Sequence, residues 1–193
     1  RKIQIQECLG FVHGKSILVA EDLAASSKHM VIMSHGFRGD STGPARQFVE
    51  FSLLLNAHGI STVRFDQPGS GNSEGRYVDS SFREWVATTS FLAHQYLQQG
   101  FQVAFMGQSM GASTSVVASA DPKLHGRIAA LLLWVPDPKS TVQVESETVY
   151  EEAGQQYRGR FWQEARSSDF DGCLAKFSGP IHLVYGEQDR YIA

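Results

Sequence analysis

A serine between two glycines is the strongest chemical signal in the sequence. Residues 107–111 read Gly-Gln-Ser-Met-Gly, directly after an apolar run at 101–106 and before small, helix-compatible residues at 110–120. A turn this tight from strand to helix strains the serine backbone and leaves no room for a side chain on either glycine. The hydroxyl of Ser109 is then exposed beside a helix N-terminus, where negative charge is favoured. The pattern predicts that Ser109 is a nucleophile.

A second loop could stabilise the negative charge that such a nucleophile creates. Residues 34–37 read Ser-His-Gly-Phe and follow the apolar run 30–33. The glycine would let this backbone approach the serine. We expect the backbone N–H groups of Phe37 and Met110 to form an oxyanion hole, in which each donor stabilises the transition state by roughly 3 kcal/mol. We interpret His35 as a brace for this loop rather than as a catalytic base.

Two neighbouring features carry polar residues without a clear chemical role. Arg38 and Asp40 lie beside the first loop, where either could contact a polar group of a substrate, but we interpret them as solvated surface charges. Residues 66–75 are rich in glycine and follow an apolar run. They lack the Lys-Ser/Thr pair of a phosphate-binding loop and no helix follows at once, so we interpret them as a tight turn flanking the cleft.

A carboxylate is expected where the last apolar run ends. Residues 185–189 read Tyr-Gly-Glu-Gln-Asp, and the carboxylate of Asp189 could orient and stabilise a histidine base. Glu187 lies in the same turn and is a fallback for this role. Asp137, which follows the apolar run 128–135, is a second fallback.

The elements that must position these residues follow an alternating pattern. Apolar runs predict strands and a 3.6-residue periodicity predicts helices. The predicted strands are 1–8, 16–20, 30–33, 60–65, 101–106, 128–135 and 180–185, with helices from about Phe48 to Gly59, Phe82 to Gly100 and 110 to 120. Strands and helices that alternate in this way predict an α/β fold, with a mainly parallel sheet covered by helices on both faces and the first two strands paired.

Residues 137–177 depart from that alternation. The segment is polar and carries several aromatic residues, which are Tyr150, Tyr157, Phe161 and Trp162. We interpret it as an insertion of one or two helices that acts as a lid. Its aromatic side chains are expected to pack the insertion onto the core.

Composition narrows the class of protein. The chain has 193 residues, with 42% hydrophobic and 19% charged residues and a net charge of −3, which is typical of one globular domain. The charge argues against a nucleic-acid binder and against a polybasic membrane surface. We see no apolar run long enough for a membrane span, no disulfide framework, no metal-ligand cluster and no dinucleotide fingerprint. We therefore expect a cytoplasmic protein that uses no metal and no cofactor.

Together the motifs resemble the α/β-hydrolase superfamily, over nearly the whole chain. They occur in that superfamily's order and spacing, as HGF at 35–37, DxxGxGxSxG at 66–75, the GQSMG turn, and GEQD at 186–189. Small feruloyl/cinnamoyl-esterase-like and lysophospholipase-like serine hydrolases with a short lid are most similar. The resemblance implies an ester or thioester substrate, Ser109 as nucleophile, Asp189 as acid and no cofactor.

The histidines depart from this superfamily, in which the order is serine, acid, histidine. No histidine follows Asp189 among the seven present, which are His13, His29, His35, His58, His94, His125 and His182. We interpret His182 as packed within the last strand, and His94 and His125 as lying at the opposite end of the sheet. We expect a hydrolase domain over 1–193 that is C-terminally incomplete, without its final strand and helix, or a second polypeptide that supplies them together with the histidine.

Two classes of function remain open. The first is a serine hydrolase that cleaves a small-molecule carboxylic ester through an acyl-enzyme on Ser109. Thioesterases, lysophospholipases and serine peptidases would use the same residues. The second class is a non-catalytic binding protein on a hydrolase fold, because no histidine follows the acid.

Overall fold

The computed structural model describes residues 4–8, 14–124, 126–137 and 142–189, with backbone only for the first of these segments. Within them the strands are β1 (Gln4–Cys8), β2 (Ile17–Asp22), β3 (His29–Ser34), β4 (Ser61–Phe65), β5 (Gln102–Gln108), β6 (Ile128–Trp134), β7 (Val149–Glu152), β8 (Gln155–Arg158) and β9 (Ile181–Val184). The helices are α1 (Gln47–Ala57), α2 (Phe82–Gln98), α3 (Met110–Ser119), α4 (Arg160–Arg166) and α5 (Phe170–Lys176). Single 3-10 turns lie at Pro44–Arg46 and Tyr77–Asp79.

One large sheet organises the chain. Its strand order is β1-β2-β4-β3-β5-β6-β9. β2 runs antiparallel to β1 and β4, and the remaining neighbours are parallel. The predicted α/β fold with a mainly parallel sheet is therefore confirmed, as is the pairing of the first two strands.

Helices cover the sheet on both faces because its central strands are apolar on both sides. In β3, Met30 and Ile32 belong to the main core, which α2, α3 and α5 cover. Val31 and Met33 point the other way and pack with Phe48 of α1. A strand alternates its side chains between faces, so this near-continuous apolar run requires a helical layer on each side.

The strand order reverses between β3 and β5. Both β4 and β5 pair with β3, and β3 and β5 run in register up to Ser34 and Gly107. At such a reversal the loops after the two strands diverge and leave a crevice beyond their carboxyl ends. Both predicted chemical loops, after β3 and after β5, therefore lie at the same place.

The segment 137–177 contains more than the predicted one or two helices. Residues 142–166 include an unpredicted hairpin of β7 and β8, followed by α4 against α2. The turn of the hairpin has Ala153 and Gly154 at φ 49° and 79°, the pair of positive angles that a two-residue hairpin turn requires. In contrast, α5 packs against α3, and its Phe170 belongs to the main core. None of the helices in the described segments is both long and apolar enough to cross a membrane.

Candidate active site

Ser109 occupies a strained turn between β5 and α3. Its backbone has φ 53° and ψ −123°, which is costly for any residue other than glycine. The turn is held because the N–H of Ser109 donates to the carbonyl oxygen of Trp134 at 2.9 Å. The side chain does not cap α3. Its hydroxyl is therefore not committed to the helix and lies in the wall of a cleft.

Both glycines of the motif are required by backbone packing, as predicted. A Cβ atom on Gly107 would lie 2.3 Å from the carbonyl oxygen of Gly111. A Cβ atom on Gly111 would lie 2.0 Å from the carbonyl oxygen of Ser34. These contacts bring the first turn of α3 directly against the end of β3, so the turn at Ser109 and the loop after β3 are packed together.

The loop after β3 approaches Ser109 closely. A Cβ atom on Gly36 would lie 3.2 Å from that of Ser109. The N–H of Gly39 donates to the carbonyl oxygen of Gly36 at 3.0 Å and closes a turn. Among the hydrogen bonds of the described residues, the N–H groups of Phe37 and Met110 have no acceptor. This is the condition that an oxyanion donor must meet in the free protein.

Both ring nitrogens of His35 form hydrogen bonds that brace the loop, as predicted. His35 is buried, its Nε2 accepts from the N–H of Gln67 at 3.0 Å, and its Nδ1 contacts the carbonyl oxygen of Gly36 at 2.8 Å. Because Nε2 accepts, the proton is on Nδ1, which donates to Gly36. Burial lowers the pKa of His35, although the bond to Gly36 opposes this effect. A neutral ring with both nitrogens occupied cannot act as the base for Ser109.

The glycine-rich segment 66–75 is a tight turn built around a buried carboxylate. Asp66 accepts from the N–H of Ser41 at 2.7 Å and from the N–H of Asn72 at 2.8 Å. A Cβ atom on Gly71 would lie 2.2 Å from this carboxylate. Through Ser41 the turn also anchors the far end of the loop that follows β3. The prediction of a tight turn is confirmed.

The two charged residues beside that loop lie at the surface, as predicted, with Arg38 exposed and Asp40 half-buried, but both also make contacts within the chain. Arg38 forms an ion pair with Glu152 of the hairpin, at 3.0 Å. Its backbone is left-handed, at φ 63°, and its N–H donates to Tyr77 Oη at 2.6 Å. Asp40 accepts from both the N–H and the hydroxyl of Thr42. Arg38 thus links the loop to two other parts of the chain.

Aromatic side chains surround Phe37. Its ring centroid lies 4.7–5.4 Å from those of four rings, which are Trp162, Phe161, Tyr157 and Tyr77. The side chain of Met110 is buried in the same cluster. The predicted packing role of the insertion's aromatic residues is confirmed. Sequence reasoning missed Tyr77 and Glu152, because 39 or more positions separate each of them from Arg38 and no local pattern joins them.

The acid candidates lie beyond the ends of β6 and β9. Asp189 follows β9, and its N–H closes a turn onto the carbonyl oxygen of Gly186 at 3.0 Å. Glu187 is exposed in this turn. The carbonyl oxygen of Asp137 accepts from the hydroxyl of Ser113 at 2.8 Å, which fixes that segment against α3.

The described histidines other than His35 lie away from Ser109 in the fold. His29 begins β3, and His94 lies near the end of α2 with Nε2 3.0 Å from Gln98. His58 follows α1 and is exposed. The expectation that His182 is packed is wrong, because β9 is the last strand of the described sheet and His182 is exposed there. His13 and His125 lie outside the described residues.

A cleft of about 370 Å³ lies over Ser109. Its walls are the loop 35–40, Gly43 and Pro44 on one side, and Gln108 with Ser109 on the other. The site therefore combines a strained serine, unpaired backbone donors and room for a small ligand.

The sequence profile of the family described as serine aminopeptidase, S33, matches residues 25–166. The chain belongs to this family of hydrolases. The matched region runs from the approach to β3 to the end of α4 and includes the cleft. At the sequence level, no curated protein matches this S33-family chain.

Solved structures show the same α/β-hydrolase fold. Est1E from Butyrivibrio proteoclasticus, with bound ferulic acid, has a TM-score of 0.80 at 22% identity, over 94% of this S33-family chain and 79% of Est1E. The esterase domain of a Rhodothermus marinus protein has a TM-score of 0.72 at 16% identity, and the match covers 100% of this chain and 80% of that domain's chain. A thioesterase domain from the curacin biosynthetic pathway has a TM-score of 0.65 at 16% identity, and the match covers 100% of this chain and 86% of that domain's chain.

Proposed function

We propose that the protein is a serine hydrolase that cleaves a small-molecule carboxylic ester. Ser109 would attack the ester carbonyl, lose its proton to a base and form an acyl-enzyme as the alcohol leaves, after which water hydrolyses the acyl group. The observation that supports this most is the backbone of Ser109, whose strain is held by the packing of Gly107 and Gly111. Strain of about 1–3 kcal/mol persists where the surrounding structure over-determines it, typically at active sites.

The oxyanion would be held by the N–H groups of Phe37 and Met110. Both lack an acceptor among the described residues, and both side chains are anchored in one aromatic cluster. Fixed donors of this kind need no reorganisation during the reaction, and each is worth roughly 3 kcal/mol.

Asp189 would orient the base. Gln108, Trp134 and Val184 are in register across β5, β6 and β9, so β9 lies about 10 Å from β5 at a strand spacing of about 4.8 Å. A serine and a carboxylate joined through one imidazole are about 8 Å apart, from two hydrogen bonds and the ring between them. The separation of these strands leaves room for a histidine between Ser109 and Asp189.

We propose that the histidine comes from a further polypeptide segment that pairs with β9. In the described sheet β9 has a neighbour only in β6. Leu183, Val184 and Tyr185 are 56%, 55% and 63% exposed. An apolar groove of about 670 Å³ lies between Val184 and Tyr185 on one side and α1 on the other. A strand added at this edge would end beside Asp189, and a helix would cover the groove. Whether the segment belongs to the same polypeptide or to a second one is an outcome of the experiment below.

The segment 137–177 would form the lid of this site. Its described part places Tyr157, Phe161 and Trp162 against Phe37, at the edge of the cleft. Phe37, against which they pack, lines the cleft and would contact the acyl or alcohol part of an ester.

Active-site labelling tests the proposal directly. The protein expressed from its complete coding sequence should gain one fluorophosphonate adduct on Ser109, found by intact-mass and peptide mass spectrometry. Ser109→Ala should lose the adduct and all turnover of p-nitrophenyl esters. Ser113→Ala, one helical turn away, should keep both. Labelling that appears only with a second polypeptide would place the histidine there.

The outcome against the proposal is equally clear. A folded protein that takes no adduct and hydrolyses neither p-nitrophenyl esters, methyl ferulate nor acyl thioesters would be a non-catalytic binding protein. Among active outcomes, the ratio of rates on short-chain esters, long-chain esters and thioesters separates an esterase from a lysophospholipase or a thioesterase.

A further inference from the structure

The loop that carries Phe37 depends on one peptide orientation. Residues 36–39 form a turn closed by the bond from Gly39 N–H to the Gly36 carbonyl, and Arg38 at its third position has φ 63°. This is a type II turn, which differs from type I by rotation of the central peptide. That peptide joins Phe37 to Arg38, and its N–H is that of Arg38. This conformation costs a non-glycine residue about 1–2 kcal/mol, so the turn must be stabilised by a contact with another part of the chain.

Tyr77 supplies that contact. Its Oη accepts from the N–H of Arg38 at 2.6 Å, and its ring packs against Phe37 with centroids 5.4 Å apart. Burial raises the pKa of Tyr77, so the phenol stays neutral throughout the ordinary pH range. The hydroxyl fixes the peptide that follows Phe37, and the ring fixes the Phe37 side chain. The direction of the Phe37 N–H is thereby restrained from both sides.

The hairpin and the start of α4 hold Tyr77 and Arg38 in turn. Arg158 of β8 pairs with the carboxylate of Asp79 at 3.3 Å, and Arg160 donates to the carbonyl oxygen of Asp79 at 3.1 Å. Asp79 ends the 3-10 turn that begins at Tyr77. Glu152 pairs with Arg38 at 3.0 Å. The insertion therefore contacts the loop after β3 at Arg38, and it contacts the 3-10 turn that begins at Tyr77 through Asp79.

We infer that Tyr77 is a positioning residue for the oxyanion hole, and that the hairpin of residues 149–158 holds the oxyanion loop through Tyr77 and Arg38. The inference rests on the proposed function, because it assigns a purpose to the N–H of Phe37. It gives the insertion a role in the chemical step besides any contact with substrate.

Tyr77→Phe is the decisive variant, since it keeps the ring and removes only the acceptor. In the protein expressed from its complete coding sequence, we expect kcat to fall at least about tenfold with KM nearly unchanged, because small misplacements of catalytic groups are costly. Affinity for an alkylboronic acid, which forms a tetrahedral adduct on the serine, should fall in parallel. Tyr96→Phe is the matched control, because it removes one phenol hydroxyl from a buried tyrosine of α2, which belongs to the main core rather than to the cluster around Phe37.

The outcomes separate the two proposals. If the parent protein takes no adduct on Ser109, the proposed function fails. If the parent is labelled but Tyr77→Phe keeps its kcat and boronate affinity, or loses no more than Tyr96→Phe does, the positioning role is refuted and the nucleophile stands.

A surface variant tests the hairpin independently of folding. Glu152→Gln breaks the ion pair with Arg38, and Glu151→Gln, on the opposite face of β7, is the control. We expect a two- to fivefold lower kcat for Glu152→Gln at low salt, with the difference fading at high salt because the pair is half-exposed. Equal rates for the two variants at low salt would overturn the role of the hairpin.

Discussion

Adding one methyl group at Gly111 should separate the turn at Ser109 from the loop after β3. The added Cβ atom would lie 2.0 Å from the carbonyl oxygen of Ser34 and 2.5 Å from that of His35. An ordinary carbon–oxygen contact is about 3.4 Å, so backbone must move by more than about 1 Å. Overpacking of this kind costs about 3 kcal/mol, and the better helix propensity of alanine offsets about 1 kcal/mol.

We therefore expect Gly111→Ala to lower the free energy of unfolding by about 2 kcal/mol. At a urea m-value of about 2 kcal/mol per M, the midpoint of unfolding should fall by about 1 M. The rate of fluorophosphonate labelling should fall as well, because the strain is relieved by moving the loop away from Ser109. Gly186→Ala is the control, since a Cβ atom there meets nothing within 4 Å. A Gly111→Ala protein with the parent's midpoint and labelling rate would refute the packing argument.

Three further predictions concern stability. Because burial lowers the pKa of His35, the unfolded chain binds a proton below about pH 6.5 while the folded chain stays neutral, so stability should fall on acidification with a slope of up to about 1.4 kcal/mol per pH unit. Urea midpoints should show this in the parent and in His58→Gln; the same slope in His35→Gln would contradict it. Asp66→Asn should cost about 1–3 kcal/mol, because the amide leaves one of the two N–H donors, that of buried Ser41 or that of exposed Asn72, without its carboxylate acceptor, and an unchanged urea midpoint would argue against this. Ser109→Gly should be about 1 kcal/mol more stable than Ser109→Ala, because glycine relieves the strain at φ 53°; equal thermal midpoints would show that the turn is not strained.

The regular elements could be predicted because their signals are local. Apolar runs such as Met30–Met33 mark strands buried on both faces, and the periodic apolar residues of α2 end at Gly100, just beyond the helix. The hairpin around Ala153 and Gly154 was missed because its strands are polar and only four residues long. Its stability depends on Tyr157 packing beside Phe37, a contact between positions 120 residues apart.

The sequence by itself determined the tight strand-to-helix turn at Ser109, since the two glycines and the serine that this turn requires lie within five consecutive residues. It also predicted that His35 is a brace, because its position in the loop suits hydrogen bonding, although only the structure identifies Gln67 as a partner. Only the tertiary structure decided that Tyr77, Arg38 and Glu152 form one connected support for the loop after β3. The physical reason is that hydrogen bonds and ion pairs between distant segments depend on how the sheet, the insertion and the loops are packed, and residue types alone do not specify which partners meet.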